Sequence, residues 1–341
     1  MTVNDVAITR PVSGVTSAAT IRPSTLIALI MLAALAALPL LVKGYTLSTY
    51  RDILLLGIFA LSLDIFWGRT GILSFGHATF FGLGAYGMAI SSIRFGIDPN
   101  FVTLVGLAVG VGLAAIVALC IGYFILYGGV RGAYFTIVTL ALTMIANQTA
   151  IGWSSVTGGD SGLIGVPPFT IIGLDLSGTV ASYYLVLVLL ALCLLGALAL
   201  MHGRFGLLLA AIRDNEMKVR TLGYRTQFIL LMTFVGSAAM AGLAGAVYAT
   251  CTGFVAPDQI AMLLSTEVII WVAVGISGSL TGAVMGTFVV WQLQQKVSSI
   301  SISAWPIVIG TFFIVLVLVF PRGIPSFVSE QTRRWKKGKN Q

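Results

Sequence analysis

The stretch ASYYLVLVLLALCLLGALALMH, residues 181–202, contains no Asp, Glu, Lys or Arg, and the charged stretch GRFGLLLAAIRDNEMKVRTLGY, residues 203–224, follows it directly. A helix that crosses the hydrocarbon core of a membrane needs about 20 consecutive apolar residues, and residues 181–202 supply them. Similar runs recur along the 341 residues, of which 58% are hydrophobic and only 9% are charged. Since soluble domains carry roughly 25% charged residues, the sequence predicts an all-α integral membrane protein.

Ten segments are apolar and long enough to be predicted as transmembrane helices. Their predicted bounds are 25–42, 49–67, 72–93, 101–127, 132–153, 181–202, 227–254, 263–277, 279–296 and 302–320. Residues 1–24 are polar, and no small-residue cleavage site follows the first apolar run, so we expect a short disordered tail rather than a signal peptide. The predicted organisation is this tail, a transmembrane domain over 25–320 and a basic tail over 321–341.

The distribution of basic residues predicts the orientation of the chain. Cytoplasmic loops of membrane proteins carry an excess of Lys and Arg. With the N-terminus inside, 15 of the 19 basic residues fall in the cytoplasm, and the four outside are Lys43, Arg51, Arg94 and Lys296. We therefore expect both termini to be cytoplasmic. The net charge of +8 then reflects topology and not nucleic-acid binding, and the tail sequence RRWKKGK, residues 333–339, suits contact with anionic lipid.

The sequence contains no recognisable catalytic, metal-binding or nucleotide-binding motif. It has no H-E-x-x-H pair, no G-x-S-x-G elbow, no Cys/His cluster and no G-x-x-x-x-G-K-[ST] phosphate loop. It also lacks the row of acidic and basic residues that proton-coupled carriers place in their helices. We expect no cofactor on this chain, so energy for uphill transport has to come from a partner. The alternatives to a transport subunit that depends on a partner are a membrane-embedded enzyme and an ATP-independent secondary transporter or channel. A secondary transporter or channel would be active without partners.

Asp64, His77 and Glu267 are the ionisable residues within the predicted spans that merit a functional hypothesis. Such residues usually face protein or water and often mark functional sites. For Asp64 the favoured interpretation is a structural pair with the nearby Arg69. His77 fits a buried structural imidazole or a member of a translocation path. Glu267, predicted near an outer helix end, fits an interfacial or a functional carboxylate.

Small residues recur at four-residue spacing within the predicted spans. They form the sets Gly106–Gly110, Gly278–Gly282–Gly286 and Ser237–Ala241–Gly245–Ala249. Small side chains let helix backbones approach closely in lipid, where the hydrophobic effect does not drive helices together. This pattern predicts tight helix packing, and some of these residues could also line a path or a moving interface.

The charged stretch predicts a helix over residues 207–222 that lies outside the membrane. Asp214 and Glu216 each precede a basic residue by four positions, Lys218 and Arg220, and such pairs contribute about 0.3–0.5 kcal/mol each. Gly223 is suited to end the helix in the left-handed conformation. The apolar face comprises Leu208, Ala211, Ile212, Val219 and Leu222. The helix either contacts a protein or rests on lipid headgroups.

The loop over residues 154–180 is predicted to lie outside the cell and contains Asp160 and Asp175 but no basic residue. Gly158, Gly159 and Gly162 allow a tight turn. We expect this loop to help close an outer gate or to contact a binding protein; the alternative is an ordinary solvated loop.

Several segments in chain order resemble one transporter family. They are GRTGILSFGHATFFGLGAYG (68–87), RGAYFTIVTLAL (131–142), TGGDSGLIGVP (157–167), the charged stretch, SAAMAGLAGAVY (237–248), GSLTGAVMG (278–286) and FPRGI (320–324). Together they resemble the second permease subunit of the ABC importers for branched-chain amino acids, a family with a branch for urea and short amides. The family usually has Gly-Gly-x-Gly before the GSLTGAVMG segment, whereas this chain has Ile276 at the second position, so the resemblance does not imply the geometry of this turn.

The resemblance implies a coupling helix within the charged stretch that docks on an ATP-binding subunit. The implied coupling residues are Arg213, Asp214, Glu216, Lys218, Arg220 and Gly223, and we place Glu216 on the exposed face. The candidate residues for the path or gate are His77, Gly82, Tyr86, Gly158, Gly159 and Glu267. The resemblance further implies a bacterial-type inner membrane.

The resemblance also implies the assembly and the substrate class. The expected partners are a related permease subunit, two ATP-binding subunits that use ATP and Mg, and a periplasmic or extracellular substrate-binding protein. The expected substrates are branched-chain or other hydrophobic amino acids, with urea or short amides as the alternative.

Overall fold

The computed structural model describes residues 23–95, 101–171 and 174–300, and positions 305, 307, 308, 310 and 311. Apart from residues 23 and 24, the predicted tails lie outside these residues. Most of the predicted span 302–320 also lies outside them. We refer to the end of the helix bundle that carries the charged stretch as the α8 end. The opposite end, which carries the loop over residues 153–178, is referred to as the loop end.

The described chain folds into eleven α-helices with short connections. They are α1 (Pro23–Leu41), α2 (Tyr45–Thr70), α3 (His77–Arg94), α4 (Val102–Tyr127), α5 (Ala133–Gly152), α6 (Ser154–Thr157), α7 (Thr179–His202), α8 (Arg204–Thr221), α9 (Thr226–Thr252), α10 (Met262–Val274) and α11 (Leu280–Ile300). Four two-residue strands, β1 (Leu163–Ile164), β2 (Thr170–Ile171), β3 (Leu174–Asp175) and β4 (Phe254–Val255), lie at the loop end. The all-α membrane fold is thus as the sequence predicted.

Seven stretches of the described residues are long and apolar enough to cross a membrane, and they contain α1, α2, α4, α5, α7, α9 and α10. The predicted number of ten spans is therefore not confirmed. The third predicted span, 72–93, differs most from the structure, because residues 71–76 are not helical and α3 begins only at His77. Most of α3 is buried against other helices, including the polar residues His77, Thr79 and Ser91.

Helices α2, α3 and α9 form the centre of the bundle. Helix α2 packs against α7, α8, α9, α10 and α11, while α3 packs against both α4 and α9. The central helices bury large aromatic side chains, including Phe59, Phe66, Phe80 and Phe234. Helices α1, α4, α5 and α7 instead expose Leu, Ile and Val along their outer sides. This distribution fits a bundle whose periphery is solvated by lipid tails.

The small-residue patterns mark close helix contacts, as predicted. A Cβ atom added at Gly245 of α9 would overlap the carbonyl oxygen of Phe81 in α3. In the hairpin of α10 and α11, a Cβ atom at Gly282 would overlap the carbonyl oxygen of Gly275, and one at Gly286 would overlap that of Trp271. These backbones could not approach so closely if any of the three positions carried a side chain.

The loop between α5 and α7 folds back onto the bundle. Strand β1 pairs antiparallel with β4, with Leu163 opposite Val255, and β2 pairs antiparallel with β3. Thr157, Val166 and Phe169 are buried. Part of the loop is therefore packed against the protein, while Asp160 and Ser161 are exposed.

Candidate coupling and translocation site

Helix α8 is divided at Asn215, whose φ of −162° and ψ of 94° are not helical. The side-chain oxygen of Asn215 accepts a hydrogen bond from the backbone N–H of Lys218 (3.0 Å), which caps the second segment. The prediction of one continuous helix over 207–222 is therefore wrong. The break also separates Asp214 from Lys218, so the predicted helical pair between them does not exist.

The carboxylate of Glu216 is bound within the chain and is not exposed, contrary to the prediction. Arg131 donates to both of its oxygens, from Nε to Oε2 and from Nη2 to Oε1, at 3.0 Å each. Thr226, the first residue of α9, donates from Oγ1 to Oε1 at 2.9 Å. These three side chains are referred to below as the Glu216 clamp. Glu216 therefore binds Arg131 and Thr226 in place of the predicted partner Arg220, with which it forms no ion pair.

The surroundings of Glu216 favour its charged form. Burial opposes ionisation, but the hydrogen bonds from Arg131 and Thr226 outweigh it and lower the pKa of the Glu216 carboxyl below its ordinary value. The carboxylate is therefore ionised at neutral pH. Since a bidentate Arg–carboxylate pair is among the stronger polar contacts in proteins, the Glu216 clamp holds α8 firmly to the loop before α5.

Arg213 connects the first segment of α8 to the end of α2. Its Nη1 donates to the carbonyl oxygen of Gly68 (3.2 Å). Its aliphatic portion lies against Gly71, the left-handed residue that ends α2. Among the described residues, Arg213 forms one ion pair, a 4.0 Å contact with the exposed Asp214.

Four side chains at the end of α8 are exposed and make no side-chain hydrogen bond or ion pair with the other described residues. Lys218 and Arg220 are exposed and form no ion pair in the described chain. Met217 and Leu222 are 68% and 75% exposed. Gly223 ends the segment with a φ of 88°, as the sequence predicted, and its N–H donates to the carbonyl oxygen of Arg220 (3.0 Å). The exposed set of Met217, Lys218, Arg220 and Leu222 is referred to below as the α8 surface.

Residues 71–76 form an irregular segment between α2 and α3. The imidazole of His77 lies 2.8 Å from the hydroxyl of Ser62, which is about 12 Å before the end of α2 along its axis. The segment over residues 71–76 therefore runs back alongside α2, from the α8 end into the bundle. Irregular backbone at membrane depth requires partners inside the protein or a water-filled cavity.

Three threonines on one face of α5 supply those partners. Thr139 Oγ1 accepts a hydrogen bond from the N–H of Phe75 (3.1 Å), and Thr143 donates to the carbonyl oxygen of Phe75 (3.0 Å). Thr136 donates to the carbonyl oxygen of Leu73 (3.1 Å). These contacts hold residues 72–76 in a non-helical conformation, although the sequence predicted a helix there. The sequence did not reveal the roles of Arg131, Thr136 and Thr139, even though all three lie within the quoted segment RGAYFTIVTLAL.

His77 is fully buried, and its tautomer follows from its neighbours. Ser62 donates its only hydroxyl hydrogen to the carbonyl oxygen of Phe59 (2.7 Å), so its oxygen accepts from Nε2–H of His77. The imidazole also stacks on the ring of Phe59, with centroids 5.6 Å apart. The Nδ1 atom of His77 is then a buried acceptor that has no donor among the described residues. An acceptor of this kind is costly to leave unpaired.

Asp64 does not form the predicted pair with Arg69. One of its oxygens instead accepts a hydrogen bond from the N–H of Gly278, between α10 and α11 (2.6 Å). A Cβ atom at Gly68 would lie only 2.6 Å from the same nitrogen, so the turn and α2 are in backbone contact. In this turn, Ile276 has a φ of 66°, the left-handed conformation that a glycine adopts without strain. The chain therefore carries isoleucine, not glycine, at a left-handed position of this turn.

The structure brings four of the candidate gate residues together at the loop end. Gly82 lies against Ile260, and Tyr86, one turn further along α3, belongs to the same buried cluster as Ile260. Gly158 and Gly159, with φ values of 78° and 64°, lie in the same turn as Gly162. Gly162 contacts Val255 and Ala256 at the end of β4. The hydroxyl of Tyr86 is buried and has no hydrogen-bond partner in the described part of the chain.

The other two candidates, His77 and Glu267, lie apart from each other. Ser265 faces α3, where it accepts a hydrogen bond from the N–H of Ala78 (3.2 Å). Glu267 lies on the other side of α10 and accepts hydrogen bonds from Nε1 of Trp305 (2.9 Å) and Nε2 of Gln294 (3.4 Å). Glu267 is thus buried between helices, and it does not face His77.

Comparison with known proteins relates these elements to a family. The family described as branched-chain amino acid transport system, permease component, matches residues 45–320. The chain is 27% identical to the high-affinity branched-chain amino acid transport system permease protein LivM of Escherichia coli, over 88% of this chain and 74% of that protein. It is 26% identical to LivM of Salmonella typhimurium, over 78% of this chain and 67% of that protein.

A more partial similarity extends to another permease. The autoinducer 2 import system permease protein LsrC of Salmonella paratyphi B is 32% identical, but over only 43% of this chain and 44% of that protein. No solved structure matches the chain. The family match covers α2 to α11 in full and thus includes the irregular segment, α8 and the gate residues. The chain therefore belongs to the family of permease components of branched-chain amino acid transport systems.

Proposed function

We propose that this chain is the non-catalytic membrane subunit of an ATP-driven importer, with α8 docking on a partner that hydrolyses ATP. The observation that carries the proposal is that α8 is fixed to the chain and also offers exposed side chains. Arg213 and Glu216 hold it to the chain, whereas the α8 surface combines two basic with two large apolar side chains. A helix held in this way is suited to transmit movement from a docked partner.

The proposed assembly contains a related permease subunit, two ATP-binding subunits and a periplasmic or extracellular substrate-binding protein. ATP and Mg would be used by the ATP-binding subunits alone. The irregular segment and the gate residues would form this chain's part of the path. Membership of a permease family supports these partners.

The proposed substrates are branched-chain or other hydrophobic amino acids. The names of both LivM relatives, which align over most of this chain, support this class. Reconstitution of the complete complex in liposomes tests it, and ATP-dependent uptake of leucine is expected. Uptake of urea or acetamide in place of leucine would select the alternative substrates. Uptake by this chain alone, without ATP, would contradict the proposal and indicate a secondary transporter or channel.

The first prediction concerns topology. Because basic residues concentrate on one side, we expect both termini and residues 203–226 to be cytoplasmic. In a chain whose native cysteines are replaced, single cysteines at the exposed positions Thr221 and Ser161 are tested with an impermeant thiol reagent on intact cells. Labelling is expected at position 161 only, with labelling of position 221 after lysis as the control. Labelling at 221 but not 161 in intact cells would invert the topology.

The second prediction concerns His77 as a member of the path. His77→Phe keeps an aromatic ring beside Phe59 but removes the unpaired Nδ1 acceptor. A purely structural role predicts that this change leaves both stability and uptake intact or improved, since an unpaired buried polar atom is removed. If Nδ1 accepts a hydrogen bond from the permeating molecule, uptake should fall at constant stability.

We expect uptake by the His77→Phe complex to fall by roughly tenfold, the equivalent of about 1.4 kcal/mol for one hydrogen bond. Thermal stability and basal ATP hydrolysis should remain near wild type. Ser62→Ala removes the hydroxyl bonded to Nε2 and to Phe59 but keeps Nδ1, so it serves as the control and should transport normally. Wild-type uptake by His77→Phe would exclude His77 from the path.

A further inference from the structure

The loop between α4 and α5, residues 128–132, carries the cationic member of the Glu216 clamp. Arg131 donates from Nη1 to the carbonyl oxygens of Leu126 (3.3 Å) and Val130 (3.4 Å), which fixes its side chain at the end of α4. Its Nε and Nη2 atoms bind Glu216 in bidentate fashion. The side chains of Arg131 and Glu216 are only 27% and 25% exposed, so bulk water screens the pair less than a surface pair.

Helix α5 begins two residues after Arg131. Its threonine face binds the irregular segment through Leu73 and Phe75, while Tyr134, Ile137, Met144 and Ile145 are all more than half exposed. It is also attached through the buried ring of Phe135 against Phe66 and Phe234, and through hydrogen bonds of Thr143 with Thr79 and of Asn147 with the carbonyl oxygen of Pro257. At its start, the Glu216 clamp connects α5 to α8. A displacement of Glu216 would therefore move α5 relative to the segment it covers.

The first segment of α8, before Asn215, is attached to α2. Arg213 binds the carbonyl oxygen of Gly68 at the end of α2 and packs on Gly71, where the irregular segment begins. The two segments of α8 therefore hold two different helices, α2 and α5, which flank the irregular segment. The non-helical Asn215 lies between the two attachments. A change of angle at Asn215 would alter the separation of α2 and α5.

We propose that Arg131 is a positioning residue for transport, through which the second segment of α8 moves α5 away from the irregular segment and opens the path beside it. This inference rests on the proposed docking of α8, and it assigns a distinct role to each segment. The segment before Asn215 stays fixed on α2. The segment after it transmits movement of the docked partner to α5 through Glu216 and Arg131.

The test exchanges the charges of the pair within the complete reconstituted complex. Arg131→Glu and Glu216→Arg each place like charges together, whereas the double variant restores an opposite pair. We expect both single variants to insert, to bind the ATP-binding subunits and to hydrolyse ATP, while the substrate transported per ATP falls by roughly tenfold, within the range typical of coupling between sites. The double variant should recover most of the wild-type ratio of substrate transported to ATP hydrolysed. Arg204→Glu, at the exposed start of α8, is the matched control and should leave it unchanged.

A second measurement does not depend on transport. A cysteine placed at the partly buried Leu73 reports whether α5 covers the irregular segment. In the purified chain without partners, its rate of thiol labelling should rise severalfold in Arg131→Glu and return toward wild type in the double variant. An unchanged rate, or no recovery in the double variant, would overturn the role of Arg131. Absence of ATP-dependent uptake by the wild-type complex would count against the proposed function alone, since the labelling result stands independently.

Discussion

Replacing Met217 and Leu222 together by aspartate is expected to abolish copurification of the ATP-binding subunits and ATP-dependent uptake. These side chains are the largest exposed apolar groups of the α8 surface. If they fill pockets on a partner, each is a candidate binding hot spot worth about 2–4 kcal/mol. Such a loss corresponds to roughly 30- to 1,000-fold in affinity for each position. Burying the introduced carboxylates without partners would weaken docking further.

The folded chain itself should tolerate this double variant. Both side chains point away from the bundle, so membrane insertion and thermal stability are expected to stay close to wild type. Met217→Leu with Leu222→Met is the matched control, because it exchanges the two apolar side chains and adds no charge; it should copurify normally. If the α8 surface rested on lipid, the aspartates would leave the ATP-binding subunits bound. Normal copurification of the aspartate variant would therefore exclude docking through this surface.

The second large effect is expected from Gly158→Val at the loop end. A β-branched residue in the left-handed conformation costs about 1–3 kcal/mol. The φ of Gly158 is 78°, and an added Cβ atom would also overlap the carbonyl oxygen of Gly162. The turn cannot keep its conformation with valine, and through Gly162 it would lose its contact with Val255 and Ala256. We expect uptake to be lost while the complex still assembles, because α8 lies at the opposite end.

The matched control for this change is Gly178→Val in the same loop. Gly178 precedes α7 with a φ of −56°, and the nearest atom to an added Cβ atom is 3.9 Å away. Valine should fit there without strain, so uptake is expected to remain near wild type. Substrate uptake and copurification of the ATP-binding subunits are measured for both variants. Normal uptake by Gly158→Val, or an equal loss in both, would argue against a gate formed by the turn at Gly158.

The candidate site was predictable where a residue's role depends on its own backbone. Gly223 ends α8 in the left-handed conformation because glycine adopts it without strain, which its position after an amphipathic segment already indicates. The same holds for Gly158 and Gly159 in the loop turn. Partners of charged groups were not predictable in this way. Glu216 and Asp64 were expected to pair with residues four and five positions away, and both instead bind groups from distant parts of the chain.

The sequence by itself determined the membrane class, the approximate bounds of most helices and the family. These depend on the length of apolar runs, on charge exclusion from hydrocarbon and on motifs in order, all of which are local properties. Only the tertiary structure decided where helices break. Residues 72–76 are apolar enough for a helix, but threonines of α5 bind their backbone, and the clamp on Glu216 favours a break at Asn215 over a continuous α8. The hydrogen bonds from the α5 threonines to residues 73 and 75 and from Arg131 to Glu216 join residues 63 to 85 positions apart, and a local pattern contains no information on such contacts.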